Sequence, residues 1–145
     1  MEQSMITFRR AIDSDLPYVQ KMVVDLCIEL GHNTNAENTY KSIADYWSNP
    51  IVDCFVACDK DKPIGVAAFF TVPTMYNFAI KSSFEAFWYV KPEFRKGAGT
   101  DLLKYVEKNL KTDILDFGII DKRIQLLLKR RGYSEYKAIM RKSWG

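Results

Sequence analysis

The sequence predicts one α/β domain, a sheet with helices on both faces. Two nearly continuous apolar runs, "IVDCFVACD" (51–59) and "IGVAAFFTV" (64–72), are separated only by polar residues around "KDKP". Runs this apolar read as central strands buried on both sides, and amphipathic helical patterns lie before and after them to supply the cover. At 145 residues the chain has the size of a single domain. A chain of that size can bury about 70% of its unfolded surface without staples.

The elements follow in order. "ITFRRA" (6–11) alternates as a half-buried strand, and Asp13 or Ser14 is placed to cap the helix behind it. Pro17 suits a first turn, and Leu16, Val19, Val23, Leu26 and Leu30 form the helix stripe up to Gly31. "AENTYKSIADYWSN" (36–49) is a second helix, ended by Asn49-Pro50. The apolar hairpin comes next, then "PTMYNFAIKSS" (73–83) as a long connection. "FEAFWYV" (84–90) is a fourth strand, with Glu85, Phe87 and Tyr89 on one face and Ala86, Trp88 and Val90 on the other. A helix from Thr100 buries Leu102, Leu103, Val106 and Leu110, with Asp101/Lys104 and Glu107/Lys111 paired outside. "DILDFGII" (113–120) is a fifth strand, "DKRIQLLLKRRGY" a helix stopped at Gly132, and "SEYKAIMRK" a last strand. The order is β-α-α-β-β-β-α-β-α-β.

Hydrophobic residues at 48% and charged residues at 27% fit a globular chain rather than a disordered one. No apolar run approaches the ~20 residues of a membrane span, so no membrane partner is expected. The start "MEQSMITFRR" reads as no signal peptide, and a cytoplasmic location is expected. Cys27, Cys54 and Cys58 form no C-x-x-C and read as free thiols. With His32 the single histidine, in an exposed loop, no metal site is expected. Charge is uneven: residues 121–145 hold eight Lys/Arg against Asp121 and Glu135, a net +6, which leaves −3 over the first 120 residues. Such an end suits phosphates on a cofactor or nucleic acid, or simply crowds a helix C-terminus.

"YVKPEFRKGAGTDLLKYVEKNL" (89–110) carries the chemistry. A strand passing through Gly97, Ala98 and Gly99 into a helix at Thr100 aims consecutive backbone N–H groups, and the positive end of the helix dipole, at one point. Arg95 and Lys96 add charge. The stretch lacks the Gly-Lys-Ser/Thr of a P-loop and the third glycine of a dinucleotide fingerprint.

In its order of elements the chain resembles the GNAT family of acyl-CoA N-acyltransferases over nearly its whole length. "FRRAIDSDLPYVQKM" looks like that family's opening strand and helix, with Asp15 in its usual aspartate position. "YVKPEFRKGAGTDLLKYVE" looks like its cofactor segment, Arg/Gln-x-x-Gly-x-Gly/Ala after a V-x-P-E-Y-R lead. "LDFGIIDKRIQLLLKRRGY" looks like its "LEVRxxNxxAxxLYxxxGF" segment. Four departures stand out: Phe94 fills the Arg/Gln position, the lead is one residue shorter, Asp121 replaces an asparagine, and Leu128 replaces a tyrosine that normally protonates the departing thiolate.

The resemblance implies a mixed, mostly antiparallel sheet; with thirteen residues after Gly132, the family's last hairpin is expected to be shortened to about one strand. The resemblance also implies acetyl-CoA as co-substrate, lying between splayed strands four and five and attacked directly by an amine. Tyr89, Val90, Arg95, Lys96, Gly97, Ala98, Gly99, Thr100 and Asp121 would hold the cofactor, with a backbone N–H near Tyr89 or Val90 as oxyanion donor. Glu85 and Asp116 are the candidate bases. The acceptor amine, on a small molecule or a protein, would meet the first two helices, the 73–83 segment and the chain end, where Tyr40, Tyr46, Trp47, Tyr76 and Phe78 lie. A non-catalytic acyl-CoA-binding or protein-interaction module is the alternative, a nucleic-acid modifier a third reading. A clipped last hairpin would leave a sheet edge that invites a homodimer.

Overall fold

The computed structural model describes residues 5–32, 34–119, 121–136 and 140–144. Its sheet runs in the order β1-β2-β3-β4-β5, made of β1 (Ile6–Arg10), β2 (Val52–Asp59), β3 (Lys62–Thr74), β4 (Asn77–Val90) and β5 (Ile114–Asp116). The first four strands are antiparallel, and β5 joins β4 in parallel. The helices are α1 (Leu16–Glu29), α2 (Ala36–Trp47), α3 (Ala98–Asn109) and α4 (Lys122–Arg130).

The apolar runs of β2 and β3 are explained by two cores. Phe55, Ala67 and Phe69 pack with Leu102 and Val106 of α3 on one face. Val56 and Val66 pack with Val19, Met22 and Ile43 of α1 and α2 on the other. Cys58 is buried and Cys54 half-buried, with burial pushing the Cys54 thiol up to about 12; all three cysteines are free. No described helix is long and apolar enough to cross a membrane.

The start of α1 is held differently from expectation. Neither Asp13 nor Ser14 caps it. Asp15, buried, accepts the Ile12 N–H at 2.8 Å and pairs with Arg9 at 2.6 Å. Burial alone would lift its carboxyl, but the Arg9 guanidinium and the Ile12 N–H outweigh that and hold it below the usual carboxylate range.

Three expected elements change. The segment at 73–83 is not a connection: β3 continues to Thr74, turns at Met75 and Tyr76, and returns as β4 from Asn77. Apolar residues stay exposed at that tip because the pairing hydrogen bonds, rather than burial, carry the strand so far out. The expected strand over 113–120 shortens to Ile114–Asp116, because the Phe117 ring turns into the core against Trp88 and Phe69 at centroid distances of 5.5 and 5.7 Å; Ile120 lies outside the described residues. The last strand expected over 134–142 is absent at 134–136 and 140–142, while 137–139 lie outside the described residues. On α3, Glu107 binds Arg131 and the Tyr133 hydroxyl instead of Lys111, which ties α4 to α3.

The faces of β4 differ from expectation as well. Between Ala68/Phe87 and Phe69/Glu85 the β3–β4 register shifts at Ala86. A bulge of one residue reverses the alternation. Glu85 therefore shares the α3 face with Trp88 and Val90, whereas Phe87 and Tyr89 face α1 and α2.

Gly65 lies under Val90, where an added Cβ would sit 3.0 Å from Val90 Cγ2 and 3.3 Å from the Tyr89 carbonyl oxygen. Gly65→Ala is expected to cost about 1–3 kcal/mol, read as a lower denaturation midpoint at unchanged m-value.

Candidate active site

Strands β4 and β5 pair only from Ser82/Ile114 to Phe84/Asp116. Beyond that point they part, and Glu85 is the first β4 residue without a β5 neighbour. The Lys91 N–H is spent on the Ile64 carbonyl of β3 at 2.9 Å. Successive backbone groups alternate between strand edges, so Val90 turns its N–H and C=O into the opening and Tyr89 turns its own toward β3. The Val90 carbonyl takes Arg95 Nε at 2.8 Å.

The opening leads to the turn before α3. Phe94 ends a short 3-10 turn and anchors it in the core, which accounts for the apolar residue where the sequence pattern called for Arg or Gln. Gly97 has φ +94°, a conformation that needs glycine, and α3 starts there with the Asp101 N–H on the Gly97 carbonyl at 2.9 Å. The N–H groups of Ala98, Gly99 and Thr100 thus precede the first intrahelical bond. At Gly99 an added Cβ would meet only Val90 Cγ2, at 3.9 Å, and at Gly97 nothing within 4 Å. An approach free of side chains at Gly97 and Gly99, ending on three N–H donors and a helix dipole, fits the pyrophosphate of a CoA.

Not every predicted residue sits on that approach. Arg95 is engaged elsewhere: besides Val90 it forms a bidentate pair with Glu29 of α1 at 2.5 and 2.7 Å and lies over the Tyr89 ring. Lys96 is exposed. Asp121 caps α4, taking the Arg123 N–H at 2.8 Å. Leu128, at the position where the family pattern has a tyrosine, is buried. The phenol of Tyr133 donates to Glu107 at 2.9 Å, and Tyr136 is exposed.

The two carboxylates differ. Glu85 lies opposite Phe69 on the aromatic face of Trp88 and Phe117, and burial pushes its carboxyl up to about 7. Among the described residues no cation pairs with it. Asp116 pairs with Phe84, so it shares the α2 face, across the sheet from Glu85.

A groove of about 570 Å³ lies on that α1–α2 face, lined from α1, α2, the loop between them and the bulge residues Ala86 and Phe87. Of the five aromatics assigned to acceptor contact, Tyr46 lines it. Trp47 is partly buried in the core, where its indole N–H donates to Asp13, and Tyr76 and Phe78 stand on the exposed hairpin tip. The Glu29–Arg95 pair and the groove were missed by sequence reasoning. The pair spans 66 positions and carries no local signal. The polar run "HNTNAENTYKS" supplies the groove's polar wall, but a polar stretch around a helix start does not by itself mark a cavity. No group of three or more His, Cys, Asp or Glu among the described residues could hold a metal.

No curated protein matches the chain. Among solved structures, a GNAT family acetyltransferase from Staphylococcus aureus is similar at 20% identity and TM-score 0.74, covering 98% of this chain and 100% of that one. A predicted acetyltransferase from Clostridium acetobutylicum, solved with acetyl-CoA, is similar at 17% identity and TM-score 0.75, with 96% of each chain covered. An aminoglycoside N-acetyltransferase in complex with CoA is similar at 14% identity and TM-score 0.77, covering 99% of this chain and 97% of that one. These likenesses show a shared fold. The model of the acetyltransferase (GNAT) family matches residues 21–124, from within α1 to within α4, so the chain belongs to the GNAT acetyltransferase family.

Proposed function

We propose that the protein is an N-acetyltransferase that moves an acetyl group from acetyl-CoA to a primary amine by direct attack. The observation that carries this reading is Glu85, raised to about 7, at the head of an opening that ends on the Gly97 turn. Acetyl-CoA, when bound, supplies the activated acyl group as a thioester. The N–H groups of Ala98, Gly99 and Thr100 hold its pyrophosphate, and Lys96 adds charge nearby. The Val90 N–H, open on the β4 edge, donates to the carbonyl oxygen as negative charge develops there.

The amine must lose a proton before it attacks, since an unperturbed alkylammonium has a pKa near ~10. Glu85 accepts it. Because Glu85 and the groove lie on opposite faces of β4 at the bulge, the proton travels by water through the gap between β4 and β5. Asp116, on the groove side, is the competing base. No phenol waits at Leu128, and a thiol of pKa near ~8.5 leaves as a tolerable anion without one. The cytoplasmic location expected from the sequence would suit such a reaction.

The test is a saturable rise in Tm with acetyl-CoA followed by thiol release on adding amines. At 100 times Kd the rise should correspond to about 2.7 kcal/mol. The buried Leu128 favours one second reading, a non-catalytic acyl-CoA-binding module. It predicts the same Tm rise with no thiol release from any amine.

A further inference from the structure

We infer that the acceptor is a small primary monoamine on an uncharged, partly apolar body, a reading that rests on acetyl transfer as proposed above. The groove on the α1–α2 face is about 570 Å³, the size of a site for one small molecule. Its floor is apolar, from Val23, Leu26, Ile43 and Phe87. Its α2 wall offers the Asn38 amide and the Ser42 hydroxyl, neither of which has a side-chain hydrogen-bond partner among the described residues. Among the described residues that line it, His32 is the one histidine, and none is Asp, Glu, Lys or Arg.

The carboxylates beside it each already have a cationic partner. Asp25 pairs with Lys21 at 2.8 Å, Glu37 with Lys41 at 3.3 Å, and Glu29 with Arg95. Asp45 and Asp116 do not line the groove. A polycationic amine would bring several ammonium groups, each needing a counter-charge once water is displaced. This groove has none to give. A body with a ring or short alkyl face and one or two neutral polar groups finds both the floor and the hydrogen bonds it needs. Its single ammonium is the group that gives up a proton and attacks.

The experiment compares 2-phenylethylamine, spermidine, kanamycin and a neutral tetrapeptide with a free N-terminus. Each is scored twice on the full chain: by its Tm shift in the presence of CoA, which needs no chemistry, and by kcat/KM for thiol release from acetyl-CoA. The expected result is a saturable shift with 2-phenylethylamine and a kcat/KM about tenfold or more above spermidine and kanamycin. Ser42→Asp, an exposed helix position, should move the ratio toward spermidine by about tenfold by placing a carboxylate in the wall. Tighter binding of spermidine or kanamycin by the unaltered chain overturns the inference. Binding of the tetrapeptide alone overturns it in favour of a protein terminus, and no shift with any amine while CoA binds overturns it as well. A 2-phenylethylamine shift without thiol release upholds the class of amine that the groove takes, but removes the acetyl-transfer reading and with it the role of acceptor.

Discussion

Glu85→Gln is expected to lower kcat/KM for amine acetylation by about 10²–10⁴ while leaving the Tm rise with acetyl-CoA intact. Glutamine keeps the volume and the polar head but accepts no proton. In the unaltered chain Glu85 works only when ionised, so kcat/KM should climb with pH to a plateau above about 7, and that limb should vanish in the variant. Asp116→Asn on the same profile is the control. A limb that disappears there, with Glu85→Gln fully active, would transfer the role of base to Asp116.

The same substitution should stabilise the fold. Burial raises Glu85 from an ordinary 4.5 to about 7, so the unfolded chain releases this proton first. Between those values the native state holds more protons than the unfolded one, and stability falls as pH rises. The full difference is worth about 3 kcal/mol at pH above 7, an upper limit for a group that keeps some access to water. Glu85→Gln removes that penalty, so its Tm should exceed that of the unaltered chain at pH 8 and converge with it near pH 4. Such an opposition of activity and stability is expected of a base kept in apolar surroundings. Equal Tm values at pH 8 would show that the Glu85 carboxyl is not buried in solution.

Gly99→Val is expected to abolish the acetyl-CoA Tm rise with little change in the stability of the chain itself. The position is helical, and a Cβ there stands 3.9 Å from Val90 Cγ2, an ordinary van der Waals contact. The branched side chain instead fills the approach to the Ala98, Gly99 and Thr100 N–H groups. Gly97→Val is the contrasting case. Its φ of +94° disfavours any side chain, so about 1–3 kcal/mol of stability should go together with binding. Retained binding by Gly99→Val would mean that the pyrophosphate lies elsewhere.

Much of this was legible along the chain. Alternation, 3–4 spacing and stop residues are local, because each side chain's burial follows from its own place on a strand or helix. They placed α1 through α4, the β2–β3 hairpin and the Gly97 turn within a residue or two. Order and spacing then carried the family resemblance that the match over 21–124 bears out. The sequence also named Glu85 and Asp116, though it could not set them on their faces.

Tertiary structure decided the rest. A bulge at Ala86 leaves the local alternation of "FEAFWYV" untouched, yet it turns Glu85 across the sheet from Phe87, because register belongs to a pair of strands and not to one. Phe117 ends β5 after three residues by finding Trp88 and Phe69, partners set by packing and invisible in its neighbours. Arg95 looks, in sequence, like a phosphate ligand; only folding brings Glu29 to it from 66 residues away. Composition and periodicity determined which residues are buried and which class of fold they build. Contacts between distant segments, whose free energy appears only once the chain has closed on itself, decided where the carboxylates face, which cations are free and what the groove can hold.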